Sequence, residues 1–189
     1  MKHILAVCTF AFIATTSQAV EFNGIEIPET RPGSDQQTEL KLVDASSQNY
    51  YYIDNAYVGA VYQSDTSTSP ERVEFIVNSE RLSGRAIGVS LYENMALQLE
   101  WEQYEALESR MSSLVKMLDT KLEQGDRIVM TYSDEAGAEI FVKEEYKGSI
   151  ESKALFKLAT RSWLLQDGTA NPSAGIAHNT KASTAEAAL

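Results

Sequence analysis

Residues 40–63 read LKLVDASSQNYYYIDNAYVGAVYQ. They hold five of the nine tyrosines, at positions 50, 51, 52, 57 and 62. Aromatic and β-branched side chains fit a pleated, half-buried surface, so the stretch predicts a β-strand over 40–62. Asn49, Asp54 and Asn55 make it too polar for a plain core strand. A mixed aromatic and polar strand suits a sheet face that meets a ligand or a wet cleft. Side chains alternate along a strand, which puts Asn49, Tyr51, Asn55 and Tyr57 on one face with Ile53, Gly59 and Val61. Asn49, Tyr51, Asn55 and Tyr57 are therefore the candidate ligand-binding residues. The competing explanation is that the tyrosines pack the sheet and the asparagines lie near strand ends or solvent.

Upstream, residues 20–30 (VEFNGIEIPET) read as a strand with a turn at Gly24 and a stop at Pro28, and 31–38 as a polar loop. Downstream, 63–71 (QSDTSTSPE) is polar, and 72–77 (RVEFIV) and 85–91 (RAIGVSL) are short strand candidates. Residues 93–123 are helical by period. Leu97, Trp101, Tyr104, Leu107, Met111, Leu114, Leu118 and Leu122 follow one another at spacings of three or four. Such a stripe normally faces a core, and a partner-binding face is the alternative. Residues 109–113 are the expected break, and Gly125 suits a helix end, where positive φ is cheap. Residues 126–132 and 139–143 alternate like an antiparallel hairpin, Gly148 ends a second turn, and 152–165 (SKALFKLATRSWLL) forms a final helix.

The chain opens MKHILAVCTFAFIATTSQA. A basic start, an apolar run over 4–14 and small residues at Ser17 and Ala19 form the three-part pattern of a secretory signal peptide cleaved after Ala19. The run is too short for a transmembrane helix, which needs about 20 apolar residues. Residues 1–19 are the expected leader, 20–168 the folded domain and 169–189 a small, polar, flexible tail. The expected location is periplasmic or secreted. Beyond the leader no cysteine remains, and His178 in the tail is the only histidine. That excludes a disulfide, a thiol nucleophile, a histidine-based triad and a Cys/His metal site. No calcium-binding loop of Asp-x-Asp-x-Asp-Gly type occurs, and no metal or cofactor is expected. Of 16 basic and 27 acidic residues only Lys2 lies in the leader, so the rest carries a formal charge of −12. Such acidity disfavours nucleic acid and anionic membrane surfaces.

Several motifs stand in a characteristic order: Tyr57-Val58-Gly59-Ala60-Val61-Tyr62, then Gly125-Asp126-x-Ile128, Tyr132, Gly137, Gly148-Ser149-Ile150, and Phe156 to Trp163-Leu164. This order resembles the chalcone isomerase-like family, in particular its secreted bacterial members, over about residues 20–168. The resemblance implies an α+β, open-faced β-sandwich: an antiparallel sheet with a helical layer on one side and a ligand cleft between them. The bottom-up order of strands, long helical segment, hairpin and closing helix agrees with it.

The resemblance also implies where this chain departs from the family. The family's enzymes meet a developing oxyanion with an arginine on the tyrosine strand, and its fatty-acid-binding members use that arginine for a carboxylate. Counted back from Tyr57, that position is Asn49. The family's basic positions further on fall on Tyr51 and Asn55, and its threonine falls near Val61. An asparagine donates a hydrogen bond without charge, and no Arg or Lys lies between 43 and 63. Arg31, Lys41, Arg72, Arg81 and Arg85 are the cations that could reach in from elsewhere. The expected function is an exported, non-catalytic protein, with no catalytic residues assigned, that binds a small apolar molecule such as a fatty acid, or an envelope protein. The alternative is an intramolecular lyase or isomerase using the hydroxyl of Tyr51 or Tyr57.

Overall fold

A computed structural model describes residues 19–164, whose backbone forms nine strands and three helices. In chain order these are β1 (Ala19–Phe22), β2 (Ile25–Pro28), β3 (Thr30–Pro32), β4 (Glu39–Tyr50), β5 (Ile53–Gln63) and β6 (Arg72–Val77). Helices α1 (Gly84–Ala96) and α2 (Trp101–Leu118) follow. The chain closes with β7 (Arg127–Ser133), β8 (Gly137–Val142), β9 (Glu145–Ile150) and α3 (Lys153–Leu164). Strands β3 to β9 make one antiparallel sheet in sequence order, and β1 pairs with β2 separately. The expected leader and tail lie outside the described residues, apart from Ala19, which opens β1.

The single strand expected over 40–62 is a hairpin. Tyr50 pairs with Ile53, and Tyr51 and Tyr52 make the turn between β4 and β5. No glycine marks this turn. Tyr51 takes φ +50°, a region that non-glycine residues seldom enter. The stretch expected as a strand over 85–91 is helix α1, capped by Ser83, whose Oγ accepts from the Ala86 N–H at 3.1 Å. Ile87 and Leu91 are buried one helical turn apart, and a strand would have put them on the same face as Val89, which is exposed. Glycine at 84 and 88 lets α1 lie against α2. A Cβ at Gly84 would stand 2.0 Å from the Leu118 carbonyl oxygen, and one at Gly88 3.2 Å from Val115 Cα.

The long helical region breaks at 97–100, not at 109–113. Ser113 donates to the Ser109 carbonyl and stays within α2. Helix α2 ends at Leu118, so Gly125 does not cap it. Gly125 has φ +91° and sits where its N–H bonds the Val77 carbonyl. The second turn lies at Lys143 and Glu144, both with positive φ, and Gly148 is inside β9. There a side chain would meet Met117 of α2 at 2.8 Å.

The helices cover one face of the sheet. Val61, Val73, Phe75, Met130 and Ile140 from the strands bury against Leu91, Met95, Met111, Leu114, Phe156 and Trp163. The β1–β2 hairpin covers part of the other face, where Ile27 joins Leu40, Val58, Ala60, Tyr62 and Ile76. Strand β5 is therefore buried on both sides over residues 56–62.

On that outer face Glu74 is fully buried and gathers three arginines. Arg72 Nε donates to Oε1 at 2.7 Å, Arg127 Nη1 to Oε2 at 2.8 Å and Arg31 Nη2 to Oε2 at 3.0 Å. Arg31 Nε also lies 2.9 Å from Oε1, an ion-pair contact without hydrogen-bond geometry. Burial opposes ionisation of Glu74, but the guanidinium groups outweigh it and hold its pKa below the ordinary 4.5. Glu74→Gln leaves three guanidinium groups without their counter-charge and is expected to cost about 3–5 kcal/mol in urea unfolding. A carboxylate with a depressed folded-state pKa stabilises the fold above its unfolded value. Wild-type stability thus falls as pH drops below 4.5 and through the folded pKa, and Glu74→Gln removes that part of the acid dependence.

Candidate functional site

The four residues expected on one ligand-facing strand face are not brought together around a cavity. Asn49 lies at an irregularity between Gln48 and Tyr50, and its Oδ1 accepts from the Asn55 N–H at 2.8 Å. Asn55 has φ +50°, a conformation asparagine tolerates better than most residues. Its Oδ1 accepts from Ser47 Oγ at 2.9 Å and from Asn23 Nδ2 at 3.0 Å, tying the β1–β2 turn to the β4–β5 hairpin. Tyr51 stands in the turn with its ring 77% exposed, edge-on to Tyr50. Tyr57 alone points into the space between sheet and helices, where it is buried edge-on to Phe75.

That space is filled by large side chains. Tyr57, Phe75, Phe156 and Trp163 are among the largest fully buried residues of the protein, and Phe75 packs against both Tyr57 and Trp163. The five cations that could have reached it are engaged elsewhere. Arg31 and Arg72 hold Glu74, Lys41 pairs with Asp65, Arg85 pairs with Asp119 and Arg81 lies over the Tyr52 ring.

An apolar groove opens instead at the elbow between α1 and α2. Residues 97–100 end α1 and start α2, with Gln98 and Leu99 N–H groups bonded to Met95 and Ala96 carbonyls. Gln103 Oε1 accepts from the Glu100 N–H at the start of α2. The elbow is held to α3 by Gln98 Nε2, which donates to the buried Ser162 Oγ at 2.7 Å. The groove has a volume of about 630 Å³. Ala96, Leu97 and Leu99 line it from the elbow, Tyr92 and Glu93 from α1, and Trp101 and Tyr104 from α2. Leu97 is 85% exposed and Trp101 66%. They are four residues apart and rank among the most exposed large apolar side chains of the described residues.

The hydroxyls of Tyr92 and Tyr104 lie 2.7 Å apart. That bond, aided by burial, pushes Tyr92 up to about 12, so it stays protonated at neutral pH. Among the described residues, Glu93 is the charged residue that lines the groove. This arrangement offers apolar area, aromatic faces and one carboxylate, and it brings no cation to a developing oxyanion. A second cavity, of about 120 Å³ near the start of α3, is small and polar, and its Lys153 is already paired with Asp134 at 3.0 Å. Among the described residues no cluster of His, Cys, Asp or Glu could hold a metal ion. No helix among them is long and apolar enough to cross a membrane.

Of the stripe expected to face the core, Leu97 and Trp101 are exposed, while Tyr104 and Leu107 pack partly buried against the core. The buried part of that stripe begins only at Met111. The usable signal was that Leu97 and Trp101 flank the polar Gln98 and Glu100, where a new helix starts.

The arrangement of the sheet and its helical layer matches known proteins. A family described as chalcone isomerase-like matches residues 19–171. The chain belongs to the chalcone isomerase-like family. Among solved structures, the crystal structure of a fatty-acid binding protein from Arabidopsis thaliana is similar, with a TM-score of 0.57 and 14% identity. The match covers 82% of this chain and 91% of that one, and at this identity it is a likeness of fold. No curated protein matches the chain.

The two tryptophans give opposite expectations in urea unfolding. Trp163→Ala opens the buried interface and costs about 3–5 kcal/mol. Trp101→Ser and Leu97→Ser, which alter exposed side chains, change stability by no more than about 0.5 kcal/mol.

Proposed function

We propose that this member of the chalcone isomerase-like family is an exported, non-catalytic binding protein that holds a small apolar or lipid-like ligand in the elbow groove. The observation that carries the reading is the open, mostly apolar surface at the elbow, lined by the exposed Leu97 and Trp101. The similar plant protein is, by its name, a fatty-acid binding protein, which supports apolar ligand binding on this fold. Export rests on the leader pattern of residues 1–19. The lyase alternative needs charge support beside Tyr57, and the available cations are committed to Glu74, Asp65, Asp119 and the Tyr52 ring.

The test is native mass spectrometry of the protein purified from its own periplasm. The expected mature chain begins at Val20 and carries an added mass that is lost on denaturation. The double variant Leu97→Ser/Trp101→Ser folds but binds at least about tenfold more weakly, equivalent to about 1.4 kcal/mol. A chain that is repeatedly empty, and that binds dodecanol no better than the double variant does, contradicts the proposal.

A further inference from the structure

The groove is not only apolar. The rings of Trp101 and Tyr104 stack with centroids 5.9 Å apart and planes 28° from parallel. The Tyr92 hydroxyl meets that of Tyr104, so three aromatic side chains from two helices border one opening. Glu93 lines the same opening from α1, and among the described residues neither lysine nor arginine does. The surroundings are acidic as well: Glu108 lies close enough to Tyr92 to raise its pKa, and Glu100 and Glu102 flank Trp101 in sequence.

The face of an aromatic ring carries the negative part of its quadrupole and attracts cations, tryptophan most strongly. Several rings beside a carboxylate suit an ammonium head, particularly one with methyl groups that can rest on the rings. A carboxylate or sulfate head in the same place would meet Glu93 and the negative ring faces with no cation to receive it. The apolar side of the opening, Ala96, Leu97 and Leu99, suits an alkyl chain.

We propose that the elbow groove selects an amphiphile with a cationic head, an amine or quaternary ammonium, and discriminates against free fatty acids. The head sits among Tyr92, Trp101, Tyr104 and Glu93, and the chain lies along the elbow. This selectivity rests on the groove being the ligand site. It sets the site apart from an arginine-based carboxylate site, in keeping with Asn49 standing where the family resemblance expects the arginine.

The experiment is calorimetric titration of the mature protein with dodecyltrimethylammonium, dodecanol and dodecanoate. All three are kept below their aggregation concentrations, at about 0.15 M salt so that long-range charge is screened. Dodecyltrimethylammonium is expected to bind about tenfold or more tightly than dodecanoate. Glu93→Gln, at an exposed helix position, and Trp101→Leu each shrink that ratio and leave the melting temperature close to that of the wild type. If dodecanoate binds as tightly as the ammonium while dodecanol still binds, the selectivity is wrong and the groove reading stands. If the ammonium preference persists unchanged in both variants, it arises from the acidity of the whole chain, and the inference is overturned. If none of the three binds, the groove reading falls and the inference falls with it.

Discussion

Trp163, Phe75 and Tyr57 form a continuous aromatic contact between the last turn of α3, β6 and β5. Much of the molecule's architecture follows from it. Protein interiors pack as densely as organic crystals, so three large rings at the meeting of sheet and helices leave little room for a guest. Met95, Met111 and Leu114 complete the same layer from α1 and α2. In this chain the family's sheet–helix space serves as a core. Large apolar side chains left open include Leu97 and Trp101 at the elbow between α1 and α2, and Tyr51 and Tyr52 in the β4–β5 turn.

Two further constraints place the elbow. Gly84 lets the start of α1 approach the Leu118 carbonyl at the end of α2 more closely than a Cβ would permit, and Gly88 lies close against Val115. Gln98 then anchors the elbow to Ser162 on α3, one residue from Trp163. The aromatic contact in the core and the groove at the surface are therefore mechanically joined. On the opposite face, Glu74 holds Arg31, Arg72 and Arg127 together across β3, β6 and β7. Those side chains stabilise the sheet from outside and are committed there, away from Tyr57.

The legible part of the sequence was the part governed by simple periods. The strand at 72–77, the β7–β8 hairpin and the final helix all follow from alternation or a 3.6-residue repeat, and the ordered glycine and aromatic motifs carried the family. The rest depended on local backbone choices that composition hides. Tyr51 enters positive φ without being glycine, so a hairpin turn looked like strand. Ile87, Val89 and Leu91 alternate as a strand would, and only Ser83 and the four-residue spacing of Gly84 and Gly88 pointed to a helix. Irregularities near Val43 and Asn49 upset the counting of faces along β4, so residues expected side by side in a cleft separate into turn, edge and core. Leu97 continues the spacing of the stripe past the bend at 97–100, and Trp101 continues it onto the exposed first turn of α2, so periodicity alone hides the groove.

The proposed function places ligand contact at the elbow and not in the sheet–helix interior. Intermolecular nuclear Overhauser effects from a bound alkyl chain test it most directly, because they report which side chains lie within about 5 Å of the ligand. A ligand held at the elbow gives contacts to Leu97, Leu99 and the Trp101 ring, with none to Phe75, Tyr57 or Trp163. Strong contacts to Phe75 and Trp163, with Trp101 silent, would contradict it.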